Sequence, residues 1–182
     1  MDYKPFFSEY TKSLSNLMSQ VDTNLINESV ELIKNTNDNN KKIYIIGNGG
    51  SASIASHVSV DFAKVSRIPS STFNNANLIT CFANDYGYEN WVKEAIKAYS
   101  MTGDLFILIS SSGTSRNIVN AANFCKINNI NLITLSGFDL NNPLSKLGNI
   151  NFHVNSDNYN YVEMTHHIIL VSIVDIFAKK LL

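Results

Sequence analysis

Hydrophobic positions in the first 35 residues recur at intervals of three and four. Phe7, Tyr10, Leu14, Leu17, Met18 and Val21 share one helical face, and Leu25, Val30, Leu32 and Ile33 resume the pattern after a break near Asp22-Thr23-Asn24. Two helices are predicted there, followed by a loop over Asn35-Thr36-Asn37-Asp38-Asn39-Asn40, whose composition favours turns. The pattern then changes. Ile43-Tyr44-Ile45-Ile46 is a short unbroken apolar run closed by Gly47-Asn48-Gly49-Gly50-Ser51, which predicts a strand buried on both faces. Leu105-Phe106-Ile107-Leu108-Ile109 repeats the design and ends in Ser110-Ser111-Ser112-Gly113-Thr114-Ser115. Leu132-Ile133-Thr134-Leu135 is a third such run and ends in Ser136-Gly137. Asn77 to Phe82 and Ile150 to Val154 are weaker strand candidates. Helical spacing fills about 51–65, 87–99 and 115–128, and an apolar helix runs from about 160 to the chain end.

Strands that alternate with helices predict a parallel sheet, because each right-handed crossover returns the chain alongside the previous strand. The expected fold is therefore α/β: a three-layer α/β/α sandwich around a doubly wound, five-stranded, flavodoxin-like sheet. One domain is expected over 1–182, with amino-terminal helices over 1–35, the sheet core over 41–155 and the carboxyl-terminal helix over 159–182. Ligands in this architecture sit beyond the carboxyl ends of the strands. The glycine and serine turns fall there.

Composition narrows the field. Hydrophobic residues make up 45% of the 182 and charged residues 16%, which is a globular balance. The formal net charge of −1 gives no basic excess of the kind that holds nucleic acid. Cys81 and Cys125 have no metal-type spacing and read as small buried hydrophobes. Met1-Asp2-Tyr3-Lys4-Pro5 does not have the form of a signal peptide, and no uninterrupted apolar stretch reaches about 18 residues, so no membrane span is expected. The cytoplasm is the default compartment.

Both small-residue turns deliver the chain from a buried strand into a helix. The amino terminus of a helix exposes unpaired N–H groups and the positive end of its dipole, so it favours phosphate. The hydroxyls at 51, 110, 112, 114 and 115 add donors without bulk. Neither turn is a Walker loop, since no lysine follows Gly50 and Arg116 lies after Ser115, and neither has dinucleotide-fingerprint spacing. No nucleotide cofactor is expected.

Gly47-Asn48-Gly49-Gly50-Ser51-Ala52, His57, an acid at 61, Asn84-Asp85-Tyr86-Gly87, Ile109 to Ser115 and Leu135-Ser136-Gly137 occur in an order that resembles the sugar isomerase (SIS) family. Within it the similarity is greatest to the phosphoheptose isomerases. The resemblance implies that Ser51, Ser110, Ser112 and Ser115 hold a phosphate, with Asn48, Gly49 and Asp85 near the sugar. It implies conversion of sedoheptulose 7-phosphate to an aldose for lipopolysaccharide or capsule heptose synthesis. It also implies a homotetramer whose active sites a neighbouring subunit completes, and in some members a divalent metal, often zinc.

A polar cluster could carry the chemistry. His57 and Asp61 are four apart on one predicted helix, and Glu163, His166 and His167 lie near the start of the apolar last helix, where ionisable groups are costly unless paired or ligated. Carried over from the resemblance, the metal-side histidine falls on His57, the base glutamate on Asp61 and a glutamine on Glu163. The acid histidine falls on Val171 and an arginine on Val65, neither of which can replace its function. Two compensations are open. His167, or His166, restores the acid with Asp61 as base; or His57, Asp61, Glu163 and His167 bind one metal. The bland alternative is a simple Glu163–His167 pair at the helix start. A non-catalytic sugar-phosphate-binding protein, of the branch that partners the replication initiator, is the alternative function, and an isomerase of another phosphosugar is a third.

Overall fold

The computed structural model describes residues 2–180. The chain runs α1 (Lys4–Ser19), α2 (Thr23–Asp38), β1 (Ile43–Ile46), α3 (Gly49–Lys64), β2 (Ser70–Ser71), α4 (Ala76–Tyr86), α5 (Trp91–Tyr99), β3 (Leu105–Ile109), α6 (Arg116–Ile127), β4 (Asn131–Gly137), a 3₁₀ turn (Pro143–Lys146), β5 (Ile150–Val154) and α7 (Tyr159–Lys180). All strand pairings are parallel, and the sheet order is β2-β1-β3-β4-β5. This is the doubly wound fold that the alternating pattern predicts.

β1 and β3 are apolar throughout because both their faces are covered. Ile43, Ile45, Leu105 and Ile107 belong to one core layer with α2, α3 and α7; Tyr44, Ile46, Phe106 and Leu108 belong to the opposite layer with α5 and α6. The period of two along each strand sends successive side chains to opposite layers. Cys125 is buried in the second layer, and burial pushes its thiol up to about 12. Cys81 is exposed, contrary to its expected burial.

Three local expectations are corrected. Asn77 to Phe82 is not a strand but lies within α4, because the Asn75 side chain accepts from the Asn77 and Leu78 amides at 3.0 and 3.2 Å and starts a helix there. The remaining strand is instead Ser70–Ser71, two residues that pair with Ile43 and Tyr44, the Ser70 hydroxyl also donating to the Ser59 carbonyl. The asparagine-rich run after residue 34 is mostly helix: α2 continues to Asp38, and buried Thr36 bonds back to the Leu32 carbonyl at 2.9 Å. The helix expected from about 87 starts at Trp91, since Gly87 terminates α4 at a φ of 81°. Residues 181 and 182, included in the expected last helix, lie outside the described residues.

Among the described residues, α7 is long and apolar enough to cross a membrane by length and composition. Here one face of it packs into the core through Ile169, Leu170, Ile173 and Val174, and another carries Glu163 and His167. α1 is different. It buries no residue of its own, touches α7 through the Tyr10–Tyr161 ring pair (centroids 4.8 Å apart), and leaves Phe6 and Phe7 about two-thirds exposed.

Candidate active site

From β1 the chain passes outward to β2 and then returns to β3 on the other side of β1. Connections leaving β1 and β3 therefore diverge, and the crevice between them is the switch point at which doubly wound sheets bind ligands. A cavity of about 250 Å³ lies there, lined by both turns (Asn48 to Ser51 and Ile109 to Ser112), by Ser115, and by Tyr159 and Glu163 of α7.

The helices that open at this cavity lack side-chain caps. Asn48 at the start of α3 and Ser115 at the start of α6 make no capping bond, whereas Asp22 caps α2 and Asn75 caps α4. First-turn N–H groups of an uncapped helix have no intrahelical acceptor. The cavity thus joins two sets of unsatisfied donors and two positive dipole ends to a row of hydroxyls. Ser110 donates to Ser115 Oγ at 3.1 Å, Ser51 and Ser111 hydroxyls lie 3.4 Å apart, and Ser112 and Thr114 hydroxyls lie 2.9 Å apart. A small oxyanion is what such a surface accommodates. Gly113 adopts a φ of 68°, and a Cβ there would overlap the buried amide of Asn142, which braces the second turn from below.

Glu163 reaches into the same cavity, where its Oε1 accepts from Ser111 at 3.5 Å. The approach is so close that a Cβ at Gly50 would overlap its carboxylate. A larger residue at position 50 would make the Glu163 carboxylate move out of this position. No Glu163–His167 bond forms, so the simple helix-start pair is not what these residues make.

His167 turns instead towards α3. Its Nε2 lies 2.9 Å from Nδ1 of His57, and Nε2 of His57 lies 3.0 Å from Oδ2 of Asp61. A carboxylate only accepts, so His57 carries its hydrogen on Nε2, its Nδ1 accepts, and His167 donates from Nε2. The result is a directed chain, His167 to His57 to Asp61. Burial lowers the pKa of His167, His57 lowers it further and Asp61 opposes both, so the ring is held towards its neutral form.

This arrangement does not fit the expected metal set. Both nitrogens of His57 are used by its neighbours, Glu163 is engaged in the serine cradle, and among the described residues no three His, Cys, Asp or Glu side chains form a group that could hold a metal ion. The donors run head to tail rather than converging on one point. His166 is also corrected. It is fully buried, bonds the Ser136 carbonyl at 3.0 Å and is depressed to about 4, mainly by burial, so it cannot be the acid at a solvent-accessible site. Asp85 does not line the cavity; its carboxylate accepts from Asn84 at 2.9 Å on the exposed end of α4. Val171 packs against the core and Val65 is partly exposed at the end of α3.

Comparison with known proteins identifies the family and the fold. The SIS domain profile matches residues 6–137. The chain belongs to the SIS domain family. It is 40% identical over 128 residues to phosphoheptose isomerase 2 of Campylobacter jejuni subsp. jejuni serotype O:2, covering 64% of this chain and 62% of that one. It is 37% identical over 134 residues to the phosphoheptose isomerase of Aneurinibacillus thermoaerophilus, covering 69% and 63%. The chain thus spans just under two thirds of the length of these two relatives. The solved phosphoheptose isomerase of Neisseria gonorrhoeae superposes with a TM-score of 0.85 at 20% identity, over 97% of this chain and 99% of that one, which establishes the SIS fold across nearly the whole length.

Several residues of the SIS crevice were not singled out by sequence. Ser111 and Tyr159 line it, and Asn117 and Tyr88 bond Asn48 from outside it. Ser111 carried a signal as part of the serine run; the others are placed by tertiary packing alone.

Proposed function

We propose that this SIS chain is an aldose–ketose isomerase of phosphorylated sugars and that its substrate is sedoheptulose 7-phosphate, the reading that the names of its relatives favour. One observation carries it: two uncapped helix amino termini meet at a serine-lined cavity, and the same α3 and α7 that bound the cavity also carry the His167–His57–Asp61 chain. On this reading Ser51, Ser110, Ser112 and Ser115 bind the phosphate. Ten residues of α3, about 15 Å of rise, separate Ser51 from Asp61. Side chains lean towards the amino terminus of their helix, so Asp61 leans back towards the cradle. An open-chain sugar phosphate lying along α3 places its reacting carbons at the far end.

There Asp61 takes a proton from C1 of the ketose and returns it to C2, which moves the carbonyl from C2 to C1 through an enediol. His167 carries the accompanying proton between O2 and O1, and His57 fixes its tautomer. General base and acid groups of this type each contribute about 10²–10⁴ in rate. Glu163 accepts from sugar hydroxyls next to the phosphate. No step is routed through a metal, because the donors as arranged do not fit one.

The reading places the enzyme in the cytoplasm as a homotetramer. Support for assembly comes from α1, whose Phe6 and Phe7 present an apolar surface that no other part of the described residues covers. Light scattering of Phe6→Glu/Phe7→Glu against the parent tests it, the expected result being a smaller assembly.

The decisive experiment is NMR-monitored turnover of sedoheptulose 7-phosphate by the purified protein and by Asp61→Asn. Aldose formation that Asp61→Asn abolishes supports the isomerase. Saturable binding of the sugar phosphate without turnover defeats it and leaves a binding protein or an isomerase of another phosphosugar.

A further inference from the structure

We propose that Asn117 is a positioning residue of the anion cradle: with Asn48 it forms a two-bond amide latch that sets the spacing between the amino termini of α3 and α6. The inference rests on the cradle reading above. Asn48 follows β1 and lines the cavity; Asn117 sits in the first turn of α6, 2% exposed, and does not line it. The two amides bond reciprocally. Nδ2 of Asn48 donates to Oδ1 of Asn117 at 2.9 Å, and Nδ2 of Asn117 donates to Oδ1 of Asn48 at 2.9 Å. Tyr88, on the connection between α4 and α5, adds its hydroxyl to Oδ1 of Asn48 at 3.3 Å.

The cradle needs such a device. Its donors come from two helices rooted on neighbouring strands, and one phosphate must satisfy both sets within the narrow distance range of a hydrogen bond. A displacement near 1 Å at either terminus is enough to lose that. The only other direct side-chain link between the turns themselves, among the described residues, is the Ser51–Ser111 contact at 3.4 Å, too long to fix the separation. Two bonds at 2.9 Å between planar amides restrain distance and rotation together. The latch also spends Asn48: one Nδ2 hydrogen is left for a ligand, so the greater part of its amide holds the site rather than the sugar.

A buried amide needs partners in any fold, so the pair could serve stability alone. Binding of inorganic phosphate, followed by calorimetry, separates the two roles without requiring turnover. The parent protein, Asn48→Ala, Asn117→Ala, the double variant and Asn117→Asp are compared, with circular dichroism and melting recorded for each. Asn117→Asp keeps the acceptor for Asn48 but replaces the returned donor by an oxygen. The latch predicts that Asn117→Ala and Asn117→Asp each weaken phosphate binding about tenfold or more, the cost of an unmade buried bond. It also predicts that the double alanine variant binds only about twofold worse than the weaker single variant, since the pair acts as one unit. Phosphate affinity unchanged in folded Asn117→Ala or Asn117→Asp, with only the melting temperature lowered, overturns the latch. Additive losses in the double variant overturn it too. A parent that binds no phosphate defeats the cradle reading itself, and the latch with it.

Discussion

His167 and His57, 110 positions apart in the chain, meet with their rings nearly perpendicular and their facing nitrogens 2.9 Å apart. Because His57 also holds Asp61 at 3.0 Å, three ionisable groups on two helices share one directed set of hydrogen bonds. Removing any one changes the tautomer or orientation of the next.

Asp61→Asn should therefore reduce kcat by about 10²–10⁴ while leaving inorganic phosphate binding within about twofold, because the carboxylate lies far along α3 from the cradle. Steady-state kinetics with phosphate calorimetry checks this. Equal losses in kcat and phosphate affinity would place Asp61 in binding instead.

His167→Ala should reduce kcat on a similar scale, about 10²–10⁴. Its pH profile supplies a second readout. Burial holds the His167 pKa below its ordinary value, so the acid limb of kcat should fall below about pH 6.5 and be absent from any residual activity of His167→Ala.

His166 should act on stability, not on turnover. It is neutral in the folded protein down to about pH 4, while an unfolded histidine protonates near 6.5. The folded pKa is the lower one, so its contribution is complete above about 6.5 and is lost as pH falls towards about 4. The full loss is on the order of 3 kcal/mol. Urea denaturation at pH 7 and pH 4.5 should show a steeper acid loss for the parent than for His166→Gln.

Gly50→Ala should damage the cradle, because the new methyl group meets the Glu163 carboxylate. Phosphate affinity should drop about tenfold, and Gly50→Ala/Glu163→Ala should recover part of it, since neighbouring substitutions are not additive. An unrelieved loss in the double variant would assign the defect to the backbone of the turn.

The strands β1, β3 and β4 were legible because burial on both faces leaves an unbroken apolar run, and the serine turns because few other segments end such runs in small residues. β2 was not. Its two serines are strand only by tertiary pairing with β1, and the apolar Leu78-Ile79 and Cys81-Phe82 drew the strand reading into α4. The Asn75 cap was the available counter-signal. At the site, the identities of His57, Asp61, Glu163 and His167 could be read from spacing, but their connections could not. Periodicity assigns residues to a helix face and is silent on how two helices rotate against each other. That rotation separates Glu163 from the histidines and turns an apparent metal set into a chain. Asn117 gave no sign at all, being one polar residue in the first turn of a helix.

Because the starts of α3 and α6 lack side-chain caps, an anion bound as proposed would become a component of the fold. A phosphate seated between them would serve as the amino-terminal cap of both helices at once, each such cap being worth about 1 kcal/mol. Asn48 and Asn117 already tie the two starts directly, and the anion would add a second link between them. Substrate would join the halves of the sheet on either side of the β1–β3 boundary into one cooperative unit. At a concentration about 100 times its dissociation constant it adds about 2.7 kcal/mol to the stability of the whole. On the proposed reading, thermal melting would report site occupancy, and a bound sugar phosphate would complete the two helix starts that hold it.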